Sequence, residues 1–368
     1  MPESVLVTGF PSFVARKMVE ELVREPDVVV HAIVRTKSLE EARAALDVLP
    51  LAERRRVDVI EGDAAAIDLG LSGAEMRELL PKIDVIHHLA QVSYMGAEAE
   101  LATHVNVGGA REILEIAALC PKLSCLVYHS TAQVSGDRTG LVLEDDLDKG
   151  QVFKNPVEET MARGERIVRS KMGKVPIAIV RPTIVVGDSK TGEVDRFDGP
   201  YFLILLLVTS PPDIPLPLPG RGDAPLNLVP VDYYVRAARA IGRDPRAPGR
   251  TFHVGDPAPI TARRVFDLVA AAGGRRSTRG FIPANITKAL LRTPGLDRVA
   301  KSPRAFLDAL ATPVTYSFAH TTELLAGTDI RCPPFESYVE GLVEYVQQRL
   351  REKRARDRSS GEIEDPLG

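Results

Sequence analysis

Val5-Leu-Val-Thr-Gly-Phe-Pro-Ser-Phe-Val-Ala-Arg16 is the stretch on which the reading of this chain turns. Val5-Leu6-Val7 reads as a strand, Thr8-Gly9-Phe10-Pro11-Ser12 as a tight turn, and 14–24 as a helix with Val14, Met18 and Leu22 on one face. A turn between a strand end and a helix N-terminus points unpaired N–H groups at an anion, and α/β nucleotide-binding domains place a pyrophosphate there.

The pattern continues outward. Runs at 28–34, 57–60, 84–89, 124–129 and 175–180 are mostly apolar on both faces, as strands inside a parallel sheet should be. Helical patterns at 40–49, 97–119 and 156–171 lie between them. Regular alternation predicts βαβ units, hence an α/β fold with a doubly wound parallel Rossmann-type sheet. Residues 1–190 form that domain, rejoined by about 228–245. Most of 191–345 is expected to be a smaller α+β C-terminal substrate cap, with 346–368 a charged, disordered tail. The proline-dense stretch 210–220 reads as a loop or edge segment. Helices are expected at 231–241 and 261–272 and a strand at 250–254.

Composition narrows the function. The 47 basic and 50 acidic residues give a net charge of -3, so there is no electrostatic case for nucleic acid. Cys120, Cys125 and Cys332 form no metal-ligand spacing, and no metal is expected. The chain enters its first strand without a basic leader, and its longest strongly apolar run, 202–208, is too short to span a bilayer. The expectation is a cytoplasmic protein without a transmembrane segment. A third class, a membrane-surface protein using that apolar run and the basic tail, is the weakest reading.

Further motifs follow in order: Gly62-Asp63-Ala64, Asp84-Val-Ile-His-His-Leu-Ala90, Asn106-Val-Gly-Gly, His129-Ser-Thr-Ala-Gln-Val-Ser-Gly136 and Val180-Arg-Pro-Thr-Ile-Val-Val-Gly187. Together with the opening loop they resemble the extended short-chain dehydrogenase/reductase superfamily over roughly residues 4 to 345. The fatty-acyl/thioester reductase branch is the nearest; nucleotide-sugar epimerases and 3β-hydroxysteroid dehydrogenases are related. The resemblance implies a cofactor-binding loop of Thr8, Gly9, Phe10, Pro11, Ser12, Phe13 and Val14, in which Ser12 and Ala15 stand where the family has its second and third glycines. It also implies contacts from Asp63 and Ala64, with the Asp toward adenine, from Leu89, Ala90 and Gln91, from Asn106, and from Pro182 and Thr183. Arg35 and Lys37 follow the second strand where an NAD site prefers an acid, so NADP(H) is expected over NAD(H).

The family's chemistry needs a tyrosine and a lysine one helical turn apart, with a Ser or Thr on the preceding strand to bind the substrate oxygen. Thr131 fits the last position. The flanks Asn155-Pro156 and Gly164-Glu165 fix the register of the other two, which are Val157 and Met161. Neither can hold or move a proton. The expectation is therefore a degenerate catalytic site on a nucleotide-responsive or scaffolding protein. The alternative is an active NAD(P)H-dependent reductase or epimerase acting on an apolar, acyl- or sterol-like carbonyl through Tyr201, His129 or water. His129 reads more simply as a packed or cofactor-lining histidine, and Glu158 and Glu159 as surface carboxylates at a helix start. A homodimer through the helices 97–119 and 156–171 is expected.

Overall fold

β-branched residues dominate the runs read as strands, and buried strands take them because branched side chains pack well on a pleated surface. The computed structural model describes residues 2–94, 96–197, 199–209, 218–219, 221–275, 281–282 and 312–360. The strands in chain order are β1 (Glu3–Thr8), β2 (Val28–Val34), β3 (Val57–Glu61), β4 (Val85–His88), β5 (Cys125–His129), β6 (Gly140–Val142) and β7 (Ile177–Pro182). They continue with β8 (Ile184–Val186), β9 (Leu218–Pro219), β10 (Leu228–Pro230), β11 (Thr251–Val254), β12 (Phe281–Ile282) and β13 (Val314–Tyr316).

Seven of them form one parallel sheet in the order β11-β7-β5-β4-β1-β2-β3. The chain runs from β1 outward to β3, then returns to lay β4 on the other side of β1, with Thr8 level with His88. Strand order reverses between β1 and β4, and such a reversal opens a crevice at the carboxyl ends of the strands. Three parallel pairs lie outside the sheet: β8 with β10, β6 with β13 and β9 with β12.

Helix α1 (Phe13–Leu22) and the helices Leu39–Asp47 and Val231–Arg243 cover one face of the sheet. Gly73–Leu79, Gly109–Leu119 and Pro156–Arg169 cover the other. A third cluster unites the helices Tyr201–Thr209, Ala262–Ala272 and Val339–Ser360.

The structure adjusts several expectations. The second half rejoins the sheet further along than 245, because β11 forms its edge. The tail expected to be disordered from 346 begins as part of the helix Val339–Ser360, with Val346 and Leu350 buried in the third cluster; residues 361–368 lie outside the described ones. The apolar run near 202–208, read chiefly as core packing, has Leu203, Ile204 and Leu207 buried in that cluster. Of the proline-dense stretch, 210–217 and 220 lie outside the described residues, while Leu218–Pro219 pairs with β12. The helix expected over 97–119 is Ala99–Ala102 and Gly109–Leu119 joined by a wider π-type stretch, Thr103–Gly108. Among the described residues no helix is long and apolar enough to cross a membrane.

One buried ionic network ties the helix Pro156–Arg169 to the sheet. Glu165 and Arg181 are both fully buried. Arg181 donates to both carboxylate oxygens, at 2.9 and 2.6 Å, and Arg169 and Ser130 donate at 2.8 and 2.6 Å. Burial pushes the Glu165 carboxyl up, yet Arg181, then Arg169 and Ser130, hold it below the usual range. Removing one partner of such a pair strands the other charge. Arg181→Met is therefore expected to lower stability by about 3–5 kcal/mol in urea unfolding. A loss under about 1 kcal/mol would mean that Arg169 and Ser130 suffice.

Candidate functional site

The crevice begins at Gly9. Its φ is +87°, and a Cβ there would lie 2.5 Å from the carbonyl oxygen of Leu89, so only glycine lets the β1 turn meet the end of β4. Thr8 fastens the two strand ends. Its Oγ1 accepts the N–H groups of Leu89 and Ala90, both at 3.2 Å. Its hydroxyl proton is left for Nδ1 of His88, 3.0 Å away. Burial lowers the His88 pKa to about 3, so the ring is neutral with its proton on Nε2. Thr8 thus shapes the crevice rather than reaching into it.

Ser12 is the N-cap of α1, exposed and without a side-chain capping bond, while its N–H closes the turn on Gly9 O at 2.9 Å. The N–H groups of Phe13, Val14 and Ala15 have no carbonyl within the helix to bond. Phe10, Pro11 and Phe13 are buried. At the end of β2, Arg35 and Lys37 are exposed, and their side chains have no hydrogen-bond or ion-pair partner among the described residues. Beyond β3, Asp63 Oδ1 accepts the N–H of Ala65 at 3.0 Å, and Ala64 is buried behind it. Gln91 follows β4 with a buried Nε2 that has no partner among the described residues. A buried, unmet donor in the crevice is a structural reason to expect a ligand there.

The residues expected around the reacting end are brought together with different duties. Asn106 is consumed within the protein: its Oδ1 accepts Val92 N–H at 2.8 Å, and its Nδ2 donates to Val92 O at 3.1 Å and Thr160 Oγ1 at 3.0 Å. It holds the loop after β4 against the helix Pro156–Arg169. Thr131 accepts the N–H of Gln133 at 3.2 Å and keeps its own proton available. Val157 and Met161, 4% and 1% exposed, sit in a fourth apolar cluster with Val92, Ala97, Ala102, Val134, Leu147 and Ala162.

Tyr201 and His129 each have hydrogen-bond partners inside the protein. Tyr201 is buried, and its hydroxyl oxygen accepts the N–H of Gly187 at 2.7 Å. His129 is buried with Nε2 3.0 Å from His87 Nδ1 and Nδ1 2.6 Å from the Tyr234 hydroxyl. Burial, then the neighbouring histidines, hold it well below its usual pKa. Tyr94 is half-exposed under the Arg196 guanidinium, 5.1 Å from the ring centre.

Glu158 corrects the sequence reading. It is buried, not a surface carboxylate: Oε2 accepts Lys154 N–H at 2.9 Å and Oε1 accepts from Asn155 Nδ2 at 3.0 Å. Burial pushes its carboxyl above the usual range against those donors. It lines a cavity with Gln133, Ser135, Thr183, Asn227 and Tyr316 that sequence spacing did not reveal. Pro182 ends β7, and Thr183 is among the residues lining this cavity. Among the described residues no group of three His, Cys, Asp or Glu is placed to hold a metal ion.

Comparison with known proteins agrees with this geometry. The family model described as male sterility protein, NAD-binding, matches residues 7–238. A linear gramicidin synthase of Brevibacillus parabrevis is 26% identical over 365 residues, 92% of this chain but 7% of that protein. The fatty acyl-CoA reductase wat of Drosophila melanogaster is 25% identical over 283 residues, 66% of this chain and 54% of that one. The chain therefore spans a small part of the synthase and about half of the reductase. The terminal R domain of the myxalamid PKS-NRPS biosynthetic pathway has the same fold, with TM-score 0.78, 24% identity, and 95% and 91% of the two chains covered. A UDP-glucuronic acid 4-epimerase from Bacillus cereus, in complex with NAD, follows at TM-score 0.68 and 19% identity, covering 94% and 99%.

Proposed function

This chain belongs to the NAD-binding family described as male sterility protein, in the fatty-acyl and thioester reductase branch of the extended short-chain dehydrogenases/reductases, and from that premise we propose that it binds NADP(H) without running the branch's proton transfer. It acts as a nucleotide-responsive or scaffolding member. The observation that carries this reading is the sealing of Val157 and Met161 in an apolar cluster, where the reaction needs a tyrosine and a lysine.

The crevice suits the cofactor that the family binds. The turn at Gly9 and the free N–H groups at the start of α1 would take the pyrophosphate, Asp63 the adenine side, and Gln91 a group passing over β4. Arg35 would meet a 2′-phosphate. A bound nicotinamide would supply a hydride donor or acceptor. Thr131 would hold a substrate oxygen, but no side chain beside it at Val157 or Met161 could donate the proton that must follow. The reading as an active reductase on an apolar carbonyl has less support, because His129 is bonded on both ring nitrogens, to His87 and Tyr234, and Leu203, Ile204 and Leu207 of the apolar run are core packing.

The test is a titration of NADPH and NADH against the purified protein, with turnover of a simple aldehyde followed in parallel. NADPH is expected to bind about ten- to a hundredfold more tightly, the worth of a charge-assisted contact. Arg35→Ala should remove most of that preference. Equal affinities would sink the NADP(H) assignment, and robust turnover would sink the loss of chemistry.

A further inference from the structure

One edge of the seven-stranded sheet is β3, which pairs only with β2. Val30 N–H donates to Arg56 O at 2.8 Å, and Gly62 N–H donates to Val34 O at 2.9 Å. Alternate residues of a parallel strand face the same neighbour, so Asp58 and Ile60 also bond to β2. Val57, Val59 and Glu61 therefore turn their N–H and C=O groups outward, where they have no backbone partner among the described residues. None of the five residues of β3 is buried, and the strand carries neither the lysine nor the proline that commonly guards an exposed edge.

Beside this edge lies a cavity of about 280 Å³, walled on its other side by Leu71, Lys82 and the helix Gly73–Leu79. Val59 lines it. The Val59 side chain packs against the core cluster on the opposite face of the sheet, so the residue meets the cavity through its backbone. Asp58, Glu75 and Glu78 also line it, against Lys82 as the one lysine or arginine. Each carboxylate is bonded on one oxygen. Asp58 Oδ2 lies 3.2 Å from His31 Nδ1, Glu75 Oε2 accepts the Ser72 N–H and hydroxyl at 2.8 and 2.6 Å, and Glu78 Oε1 accepts from Lys82 Nζ at 3.2 Å.

An open ladder edge accepts another strand, and the charge beside it selects which. A second copy of this chain would bring its own carboxylates to the same place, and like charges set opposite one another destabilise a strand pair. A basic segment meets no such cost. We propose that the β3 edge docks an extended basic segment of a partner protein, which adds a strand beside Val59 and lays alternate lysine or arginine side chains toward Asp58, Glu75 and Glu78. The dinucleotide crevice between β1 and β4 takes no part, so the site stands or falls separately from NADP(H) binding.

Amide-resolved NMR on the full chain tests this with a blocked peptide of alternating threonine and lysine. Its counterpart of threonine and glutamate, and the lysine peptide N-methylated along its backbone, are the controls. The lysine peptide alone is expected to bind, to move the amide signals of residues 57–61 and to slow hydrogen exchange at Val59. Asp58→Asn with Glu78→Gln should weaken it roughly tenfold, the worth of two exposed ion pairs. Val59→Pro removes an outward donor without touching the ladder to β2 and should abolish binding. If that variant fails to fold, the N-methylated peptide asks the same question from the other side. The proposal is overturned by no binding, by equal binding of either control, or by binding that leaves residues 57–61 unmoved. Protection of Val59 that grows with protein concentration, without peptide, would give the edge to a second copy and overturn it as well.

Discussion

Val157→Tyr combined with Met161→Lys is expected to raise NADPH-dependent reduction of a simple aldehyde by about 10²–10⁴ over the unmutated protein, while either change alone does little. The two groups act as a unit. Without a cation beside it, a tyrosine keeps a pKa of about 10 or higher, and without a tyrosine the cation has no proton to deliver. Thr131 already keeps a free hydroxyl proton at the right strand end. The structure adds a cost: both positions lie in the apolar cluster around Val92 and Val134, so the larger ring overpacks it and an ammonium there begins unpaired. The double variant should therefore melt lower than the parent even as activity appears. Single-turnover rates with NADPH, read alongside melting curves, check both halves. A folded, NADPH-binding double variant with no gain would show that the missing pair is not what limits the chemistry.

Acid is expected to unfold this protein early. Burial, with Arg239 adding to the effect at His87 and Arg181 at His253, lowers the pKa of His87, His88 and His253 from 6.5 to about 3. All three are therefore neutral in the folded state near neutral pH. Between pH 6.5 and 3 the unfolded chain binds their protons and the folded chain does not. Stability is thus fully present above 6.5 and is lost as pH falls below it. Each group forfeits about 1.6 kcal/mol between pH 6.5 and 5, so the three together remove about 5 kcal/mol, comparable with the whole stability of an ordinary domain. Urea midpoints at pH 7.5 and 5.0 measure the effect, and His88→Gln should reduce the difference by roughly a third. A midpoint that does not move over this range would mean that these rings are solvated.

Much of this was legible in the sequence because the local signal and the global placement agree. Strands buried on both faces are continuous apolar runs, and β1, β2, β4, β5 and β7 read that way. Gly9 was legible as a turn residue, although its reason, the carbonyl of Leu89 behind it, is a contact across 80 residues of chain. The flanks Asn155 and Glu165, from which the register of Val157 and Met161 is read, both have duties in the structure: Asn155 caps the helix and Glu165 anchors it to Arg181. Glu158 was misread, because a carboxylate in a first helical turn gives the same local signal whether water or protein lies above it. The hydroxyl bond between Tyr316 and Ser135 was invisible, since 181 residues separate the two and no periodicity links them. The π-type stretch at Thr103–Gly108 was also missed: it keeps a helical pattern while shifting the phase that sets Asn106 against Val92.

The helix Pro156–Arg169 is fixed at its two ends, by the Asn155–Glu158 cap contacts and by Glu165 with Arg181 of the sheet. Positions 157 and 161 lie between these anchorages and contribute only apolar packing. The scaffold therefore does not rely on these two side chains for its alignment. For the same reason the middle of this helix is a socket. New chemistry, such as a fluorescent or photoreactive side chain, can be installed there at a defined spot beside the cofactor crevice, its aim set by parts of the molecule that the substitution never touches.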